Sequence, residues 1–323
     1  MPSSAFFFYK KEVISPDQSG FLYPEPQQPT IGLRYAHWES PHPNRGTVVL
    51  QGGRTEFYEK YAETIAHLLD RGFQVWSMDW RGQGLSARLL PERHKGYIDG
   101  YDTYLKDLHF FLQSKVLPSA PRPPILMGHS MGGHLALRYM REHQGLFAAA
   151  ALSAPMIAIQ SAPFPDPIFR GLTAAGCRLG MRTWYAPGQH DFNAEDRDFS
   201  NNRITSCPIR FQKILDCIQN NPDLALGGAT FGWLYESIKS MDILRQRSYA
   251  SQIIDPVLIV SATDEKIVSP QAQVELAHWM PQCRLVSISG CEHELLQEVD
   301  AVQTLFWEAF DAFLEDHLSA ERD

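Results

Sequence analysis

The sequence predicts an α/β fold in which a mostly parallel sheet is flanked by helices. Short apolar runs alternate along the chain with amphipathic helical stretches, the order typical of parallel strands joined by crossover helices. Residues with catalytic chemistry directly follow three of these runs, at Ser130, Asp264 and His293. The carboxyl ends of parallel strands meet at one edge of a sheet, so we expect these side chains to lie close together.

Hydrophobic periodicity predicts the individual elements. An antiparallel pair comes first, followed by parallel strands and the helices between them. The strands are predicted at residues 6–14, 30–38, 47–50, 73–78, 124–127, 256–261 and 284–288, and within the apolar stretch 146–159. The helices are predicted at residues 56–69, after Asp99, from His134, from Ser269-Pro270 to about 280, and over 302–313.

Residues 124–133 carry a Gly-x-Ser-x-Gly motif between a predicted strand and a predicted helix, with Ser130 at its centre. At such a turn the serine hydroxyl projects from the sheet edge, and the flanking glycines leave room for a strained backbone. The motif alone also arises by chance, so its assignment depends on this context. Ser130 is therefore predicted to be a nucleophile that forms a covalent acyl ester.

A serine nucleophile needs a base, and the base needs an orienting acid. In hydrolases with this type of turn, the chain order is Ser, then Asp or Glu, then His. Asp264 follows the strand at 256–261, and His293 follows the last predicted strand in a glycine-containing loop. The predicted triad is Ser130, Asp264 and His293, with Glu265 as the alternative acid.

The oxyanion of the reaction needs two N–H donors. One is predicted to be the N–H of Met131, which follows the nucleophile, and the other comes from the loop after the third strand. In that loop two adjacent glycines, Gly52 and Gly53, let the backbone turn its amides toward a substrate. Gly53 is the predicted second donor, with Arg54 as the alternative.

Together these motifs resemble the α/β-hydrolase fold, and within it the lysophospholipases and monoacylglycerol lipases that share their core with serine aminopeptidases. The resemblance covers about residues 45–315. It rests on residues 51–56, 79–86 and 128–133 and on the loops that hold Asp264 and His293. The Gly-Arg-Thr-Glu sequence at residues 53–56 most resembles the corresponding loop of bacterial lysophospholipases. Many relatives have His-Gly-x-Gly where this chain has Gln-Gly-Gly-Arg, so the second oxyanion donor stays open.

About a hundred residues separate the sixth and seventh core strands, more than a simple connection needs. Residues 155–252 are predicted to form a helical cap over the active site, inserted into a core of residues 1–154 and 253–323. Most apolar residues of this segment are expected to pack cap helices onto the core. Trp233 is predicted to form a wall of the substrate-binding pocket.

Composition limits the partners. The net charge of -8 argues against a nucleic-acid partner, and the five irregularly spaced cysteines favour reduced thiols and the cytoplasm. No zinc-like cluster is evident, so we expect no metal and no cofactor. The stretch 146–159 is too short to span a bilayer, and Phe6-Phe7-Phe8 is too short for a signal peptide. Peripheral contact of the cap with the inner membrane face stays open.

The motifs and the resemblance predict a serine hydrolase that cleaves the ester of a small lipid, a lysophospholipid or a monoacylglycerol, through an acyl-enzyme. A transacylase would use the same site with a lipid alcohol in place of water. An aminopeptidase or amidase would also use this triad, and acidic residues would have to bind the free amine of its substrate. Candidates for that role are Asp191, Glu195, Asp196 and Asp198. A binding module without catalysis would need a broken triad.

Overall fold

The computed structural model describes residues 14–42, 45–161 and 163–318, and its centre is an eight-stranded sheet. The strand order is β1-β2-β4-β3-β5-β6-β7-β8. The strands are β1 (Gln18–Leu22), β2 (Leu33–Trp38), β3 (Gly46–Gln51), β4 (Phe73–Met78), β5 (Ile125–His129), β6 (Ala149–Ser153), β7 (Val257–Ala262) and β8 (Cys283–Ile288). Strand β2 is antiparallel to β1 and β4, and the other neighbouring strands are parallel, which confirms the predicted mostly parallel sheet.

Helices connect these strands. They are α1 (Ala62–Asp70), α2 (Tyr101–Phe111), α3 (Leu117–Ser119), α4 (Met131–Glu142), α5 (Asp166–Arg178), α6 (Pro208–Asn220), α7 (Phe231–Leu244), α8 (Arg247–Ala250), α9 (Pro270–Trp279) and α10 (Asp300–Leu318). A π-helical turn, Leu112–Val116, extends α2, and a 3₁₀ turn, Tyr58–Tyr61, precedes α1. Other 3₁₀ turns are Ala194–Asp196, Phe199–Asn201, Pro222–Leu224 and Leu295–Gln297.

The sheet separates two apolar cores. On one face α10 packs fully buried phenylalanines, Phe306 and Phe310 among them, beside Ile65 of α1. On the other face α2 and α4 contribute residues such as Leu108 and Leu135, and α7 and α9 complete that core. The apolar stripe of each helix faces the sheet, as its helical periodicity predicts. Because β3 to β8 run parallel between these two cores, their carboxyl ends meet at one edge of the sheet.

The first strand differs from its prediction. The antiparallel pair is formed by β1 and β2, and β1 begins at Gln18. Residues 6–13 of the predicted strand lie outside the described residues. Strand β1 is at the edge of the sheet and its side chains are largely exposed, so it lacks the apolar signature that identifies buried strands.

The long segment between β6 and β7 contains α5, α6, α7 and α8. Helix α5 packs on α7, and α7 packs on α2 and α4 of the core. Met241 and Leu244 of α7 belong to the same apolar core as α4, so this helix connects the inserted segment to the sheet. The division at residues 155–252 stays a prediction.

None of the helices in the described ranges combines the length and apolar character needed to cross a membrane.

Candidate active site

Ser130 lies at the sharp turn between β5 and α4. Its φ is +51° and its ψ is −114°, a conformation that costs a non-glycine residue on the order of 1–3 kcal/mol. The Ser130 N–H donates to the Ser153 carbonyl at 3.0 Å, and the His134 N–H donates to the Ser130 carbonyl at 3.0 Å. A Cβ on Gly132 would lie 2.6 Å from the Gly52 carbonyl oxygen, so only glycine fits there. The strained turn expected from the motif is present.

The imidazole of His293 connects Ser130 to a carboxylate. Its Nε2 lies 3.0 Å from the Ser130 Oγ, and its Nδ1 lies 2.6 Å from Oε2 of Glu265. All three residues are buried. Both distances are within hydrogen-bond range, and the order is that of a nucleophile, a base and an orienting acid.

The carboxylate that contacts His293 belongs to Glu265, so the prediction of Asp264 as this partner was wrong. Asp264 is exposed, and its carboxylate accepts a hydrogen bond from the Thr263 hydroxyl at 3.2 Å. The turn after β7 directs Asp264 to solvent and Glu265 toward the sheet edge. The turn thus makes the alternative acid, Glu265, the partner of the imidazole.

Glu265 is held in its ionised form by the atoms around it. Its Oε1 accepts the N–H groups of Ile267 at 2.6 Å and of Val268 at 3.2 Å, while Oε2 faces His293. Burial by itself would raise the pKa of this carboxyl. The hydrogen bonds from His293 and from the two backbone N–H groups outweigh burial and lower the pKa below its ordinary value. An ionised carboxylate here can orient the imidazole and stabilise its protonated form.

The two predicted oxyanion donors differ in availability. Met131 is the first residue of α4, and its N–H has no hydrogen-bond partner among the described residues. The Gly53 N–H donates to the Glu56 carboxylate and is therefore already engaged. The N–H of Arg54 has no partner within the described ranges. This environment argues against the predicted Gly53 and favours the alternative, Arg54.

Glu56, Lys60 and Glu294 form a buried charge cluster beside the triad. The Lys60 Nζ lies 2.6 Å from Oε1 of Glu56 and 2.6 Å from Oε1 of Glu294. Burial opposes ionisation of Glu56, but Lys60 and hydrogen bonds bring its pKa down to about 2. Burial keeps the pKa of Glu294 above its ordinary value. Since Glu56 binds the Gly53 N–H and Glu294 follows His293, the cluster joins the loop of residues 51–56, the predicted oxyanion loop, to the loop that holds His293.

His129 packs against the imidazole of His293. Its ring centroid lies 4.7 Å from that of His293, and its Nδ1 lies 3.1 Å from the Ser153 carbonyl oxygen. Burial lowers the pKa of His129 to about 3, so the ring is neutral at physiological pH. It packs against the base without adding a charge.

A cavity of about 750 Å³ opens beside Ser130 and His293. Trp233 lines it, at the place where the sequence predicts a pocket wall, and the guanidinium carbon of Arg54 lies 4.9 Å from the Trp233 ring centroid. The segment between β6 and β7 contributes further apolar residues to the wall, namely Phe164, Phe169, Leu172, Phe231 and Leu234. The cavity therefore combines polar groups near the serine with apolar side chains from the inserted segment.

Sequence reasoning did not identify Lys60 and Glu294, and it ranked Glu265 second. A usable signal for Glu265 is its position two and three residues before Ile267 and Val268, whose N–H groups a turn can direct at its carboxylate. The Glu56–Lys60 spacing is that of an ordinary exposed helix pair. Nothing in that spacing indicates burial.

Comparison with known proteins identifies relatives over most of the chain. The family described as serine aminopeptidase, S33, matches residues 42–300. Lysophospholipase L2 of Escherichia coli K12 is 31% identical over 297 residues, which are 90% of this chain and 86% of the relative. Monoglyceride lipase of Saccharomyces cerevisiae is 24% identical over 290 residues, covering 86% and 87% of the two chains.

The fold is also found among solved structures. A soluble variant of the Saccharomyces cerevisiae monoglyceride lipase, in complex with a substrate analog, superimposes with a TM-score of 0.75 at 20% identity. The match covers 96% of this chain and 99% of that one. These comparisons confirm the predicted α/β-hydrolase fold and the resemblance to lysophospholipases and monoacylglycerol lipases.

Proposed function

Because this chain belongs to the serine aminopeptidase S33 family of α/β-hydrolases, we propose that Ser130, His293 and Glu265 are its catalytic triad. The chain is a serine ester hydrolase whose substrate is a monoacyl lipid, as its lysophospholipase and monoglyceride lipase relatives indicate. The observation that carries the residue assignment is the continuous hydrogen-bonded path from Ser130 through His293 to Glu265 at the wall of the cavity.

In the acylation step, the Ser130 Oγ attacks the ester carbonyl while Nε2 of His293 accepts its proton. Glu265 holds Nδ1 and stabilises the imidazolium that forms. The N–H groups of Met131 and Arg54 donate to the oxyanion of the tetrahedral intermediate. Collapse of this intermediate breaks the ester C–O bond, and His293 returns the proton to the leaving alcohol.

In the deacylation step, water attacks the acyl-serine with His293 again as the base, and Ser130 leaves with the returned proton. No cofactor takes part in either step. A lipid alcohol in the place of water would convert the same site into a transacylase.

The identity of the nucleophile can be tested by covalent labelling. A fluorophosphonate probe should modify the protein stoichiometrically, and peptide mapping should place the adduct on Ser130. Ser130→Ala should not be labelled, whereas Ser200→Ala, at an exposed position outside the cavity lining, should be labelled like the wild type. Labelling of Ser130→Ala at the wild-type rate would disprove the assignment.

The acyl chain is proposed to bind the apolar wall that Trp233 and the inserted segment form. Each methylene buried in the transition state contributes about 0.8 kcal/mol, so kcat/KM should rise roughly fourfold per methylene until the cavity fills. The measurement compares monoacylglycerols and lysophosphatidyl esters of graded length. Equal kcat/KM for short and long chains would contradict an acyl site in this cavity.

An aminopeptidase or amidase is the second candidate, and one observation favours it. Asp191 and Asp196, two of the four acidic residues predicted for amine binding, line the cavity. Both are exposed, and Asp191 accepts a hydrogen bond from the Tyr185 hydroxyl. Aminoacyl anilides measured beside the lipid esters separate the two activities, because an aminopeptidase would cleave anilides fast and require their free amine.

Peripheral membrane contact is proposed for α5. Ile168 and Leu172 are 52% and 46% exposed and lie one helical turn apart on α5, and Leu179, the residue that follows this helix, is 76% exposed. Leu172 also lines the cavity, so this surface is continuous with a route for a lipid. Sedimentation with lipid vesicles should be reduced by Ile168→Glu and Leu179→Glu together. Unchanged sedimentation would remove α5 as the contact.

We further propose a cytoplasmic location, with any membrane contact at the inner face. The proposal is supported by the five cysteines, which are all free thiols in the structure.

A further inference from the structure

Arg54 carries a positive charge into the active-site cavity without a carboxylate beside it. Its Nη2 donates to the Gly227 carbonyl at 2.8 Å, and its guanidinium lies over the Trp233 ring. Its Nε is buried, and neither Nε nor Nη1 has a hydrogen-bond partner among the described residues. No carboxylate of the described residues lies within ion-pair distance of the Arg54 guanidinium. Nη1 therefore remains free to donate to a ligand in the cavity, while the buried Nε is left without a partner.

Arginines that are more deeply buried than the half-buried Arg54 are treated differently by the fold. Each pairs with two carboxylates: Arg34 with Asp79 and Glu59, Arg81 with Asp107 and Glu25, and Arg210 with Glu63 and Asp300. Such pairing is expected because an uncompensated charge out of water is costly. Arg54 and Arg88, both half-buried, have no carboxylate partner among the described residues, and of the two only Arg54 lines the catalytic cavity.

The surroundings of Arg54 do not neutralise it. Burial lowers the pKa of Arg54 to about 10. The charged or polar groups near it are the phenols Tyr101, Tyr104 and Tyr185 and a second arginine, Arg197. A guanidinium with this pKa is fully charged at neutral pH. Arg197 also lines the cavity.

The acidic residues of the cavity are engaged elsewhere or lie in solvent. Glu56 and Glu294 both pair with Lys60. Asp191 and Asp196 are exposed, where water and salt screen their charge. The cavity wall at Arg54 is thus complementary to an anionic group.

Arg54 lies close to the place where the scissile ester of a substrate would bind. A Cβ on Gly53 would lie 3.1 Å from the Ser130 Cβ, so the loop approaches the nucleophile one residue before Arg54. In a lysophospholipid, a glycerol unit separates the acyl ester from the phosphate. A substrate with its ester at Ser130 can therefore extend its phosphate along the wall that carries Arg54.

We propose that the Arg54 guanidinium binds the phosphate of a lysophospholipid substrate and so selects phosphorylated monoacyl lipids over neutral monoacylglycerols. This assignment rests on the proposed ester hydrolase function and specifies a residue that determines its substrate preference. Guanidinium donors suit phosphate oxygens in geometry and charge. The stacking on Trp233 holds the side chain in place before the substrate arrives.

The test measures the ratio of kcat/KM for lysophosphatidylethanolamine to kcat/KM for a monoacylglycerol with the same acyl chain. Loss of a charge-assisted hydrogen bond should lower this ratio roughly tenfold to a hundredfold in Arg54→Met. Arg54→Lys, which keeps the charge but not the planar donors, should restore part of it. Arg45→Met removes an exposed arginine just before β3, at the opposite edge of the sheet, and should leave the ratio unchanged. An unaltered ratio in Arg54→Met would overturn the assignment.

A binding measurement separates this inference from the proposed function and does not depend on the folding of a variant. Calorimetry with the wild-type protein should show glycerol 3-phosphate binding at least roughly tenfold more tightly than glycerol. If neither lipid ester were hydrolysed, the proposed function would fail, and this preference for glycerol 3-phosphate would still decide whether the protein binds the phosphate group; loss of the preference in Arg54→Met, but not in Arg197→Met, would assign that binding to Arg54. Equal affinity for the two ligands would refute phosphate binding whatever the activity.

Discussion

Replacement of Lys60 by Met tests whether the buried charge cluster organises the active site. Lys60 lies between Glu56 and Glu294, and the exposed fractions of the three side chains are 3%, 4% and 8%. Methionine keeps the length of the side chain but removes its charge. Lys60→Met therefore leaves two buried carboxylates facing each other without their shared cation.

The expected loss in the free energy of unfolding follows from this burial. Removing one partner of a buried ion pair destabilises a protein by about 3–5 kcal/mol, because the remaining charge is left without compensation. In a chain of 323 residues this corresponds to a fall in Tm of roughly 4–7 °C. The rate of ester hydrolysis should fall as well, since Glu56 binds the oxyanion loop and Glu294 adjoins His293.

The loss should depend on pH with a defined sign. In Lys60→Met, burial and mutual repulsion raise the folded-state pKa of Glu56 and Glu294 above the unfolded value of about 4.3. A group with a raised folded-state pKa destabilises the fold progressively as the pH rises through that pKa. The difference in stability from the wild type should therefore be larger at pH 8 than at pH 5.

The assay is urea unfolding of both proteins at pH 5 and pH 8. The matched control is Lys239→Met, whose lysine is 56% exposed and whose partner, Glu236, keeps its second ion pair with Arg182. Because water screens this exposed ion pair, Lys239→Met should lower the free energy of unfolding by less than about 1 kcal/mol. A Lys60→Met cost as small as that of the control, and equal at both pH values, would refute the reasoning.

Three further changes test the site. Glu265→Gln should lower kcat by roughly a thousandfold or more because the imidazole loses its orienting anion, whereas Asp264→Asn should retain near-wild-type kcat; the reverse result would return the role to Asp264. Trp233→Ala should lower kcat/KM more for long acyl chains than for short ones, and an equal loss would argue against a chain-binding wall. Gly132→Ala should abolish activity or folding, because its Cβ would meet the Gly52 carbonyl at 2.6 Å; Gly171→Ala, with open space around it, should be neutral or stabilising by about 0.5–1 kcal/mol in thermal unfolding.

The parts of the site that could be predicted are those that local pattern determines. An apolar strand, a glycine-flanked serine and a helical stretch follow each other within a few residues, and they fold as β5, the turn at Ser130 and α4. His293 was identifiable because it follows the last strand. In each case the residue lies in the segment that leaves the carboxyl end of a strand, so chain position largely determines its location.

The choice between Asp264 and Glu265 could not be made in this way. Adjacent residues after a strand point in different directions, and the turn geometry decides which of them faces the sheet edge. Here the N–H groups of Ile267 and Val268 bind the Glu265 carboxylate and fix that geometry. The longer Glu side chain reaches these donors and His293 at once, a property that residue type and spacing do not reveal.

The Glu56–Lys60–Glu294 cluster shows why long-range burial changes the meaning of a local pattern. On an exposed helix a pair spaced like Glu56 and Lys60 contributes a few tenths of a kcal/mol. Here Glu294, distant in the chain, contacts Lys60 and the cluster is out of water. Without Lys60, the two carboxylates would add a negative potential near His293 to that of Glu265. Because Lys60 offsets that potential, Glu265 remains the anion that acts directly on His293, and the oxyanion loop stays fixed relative to the base.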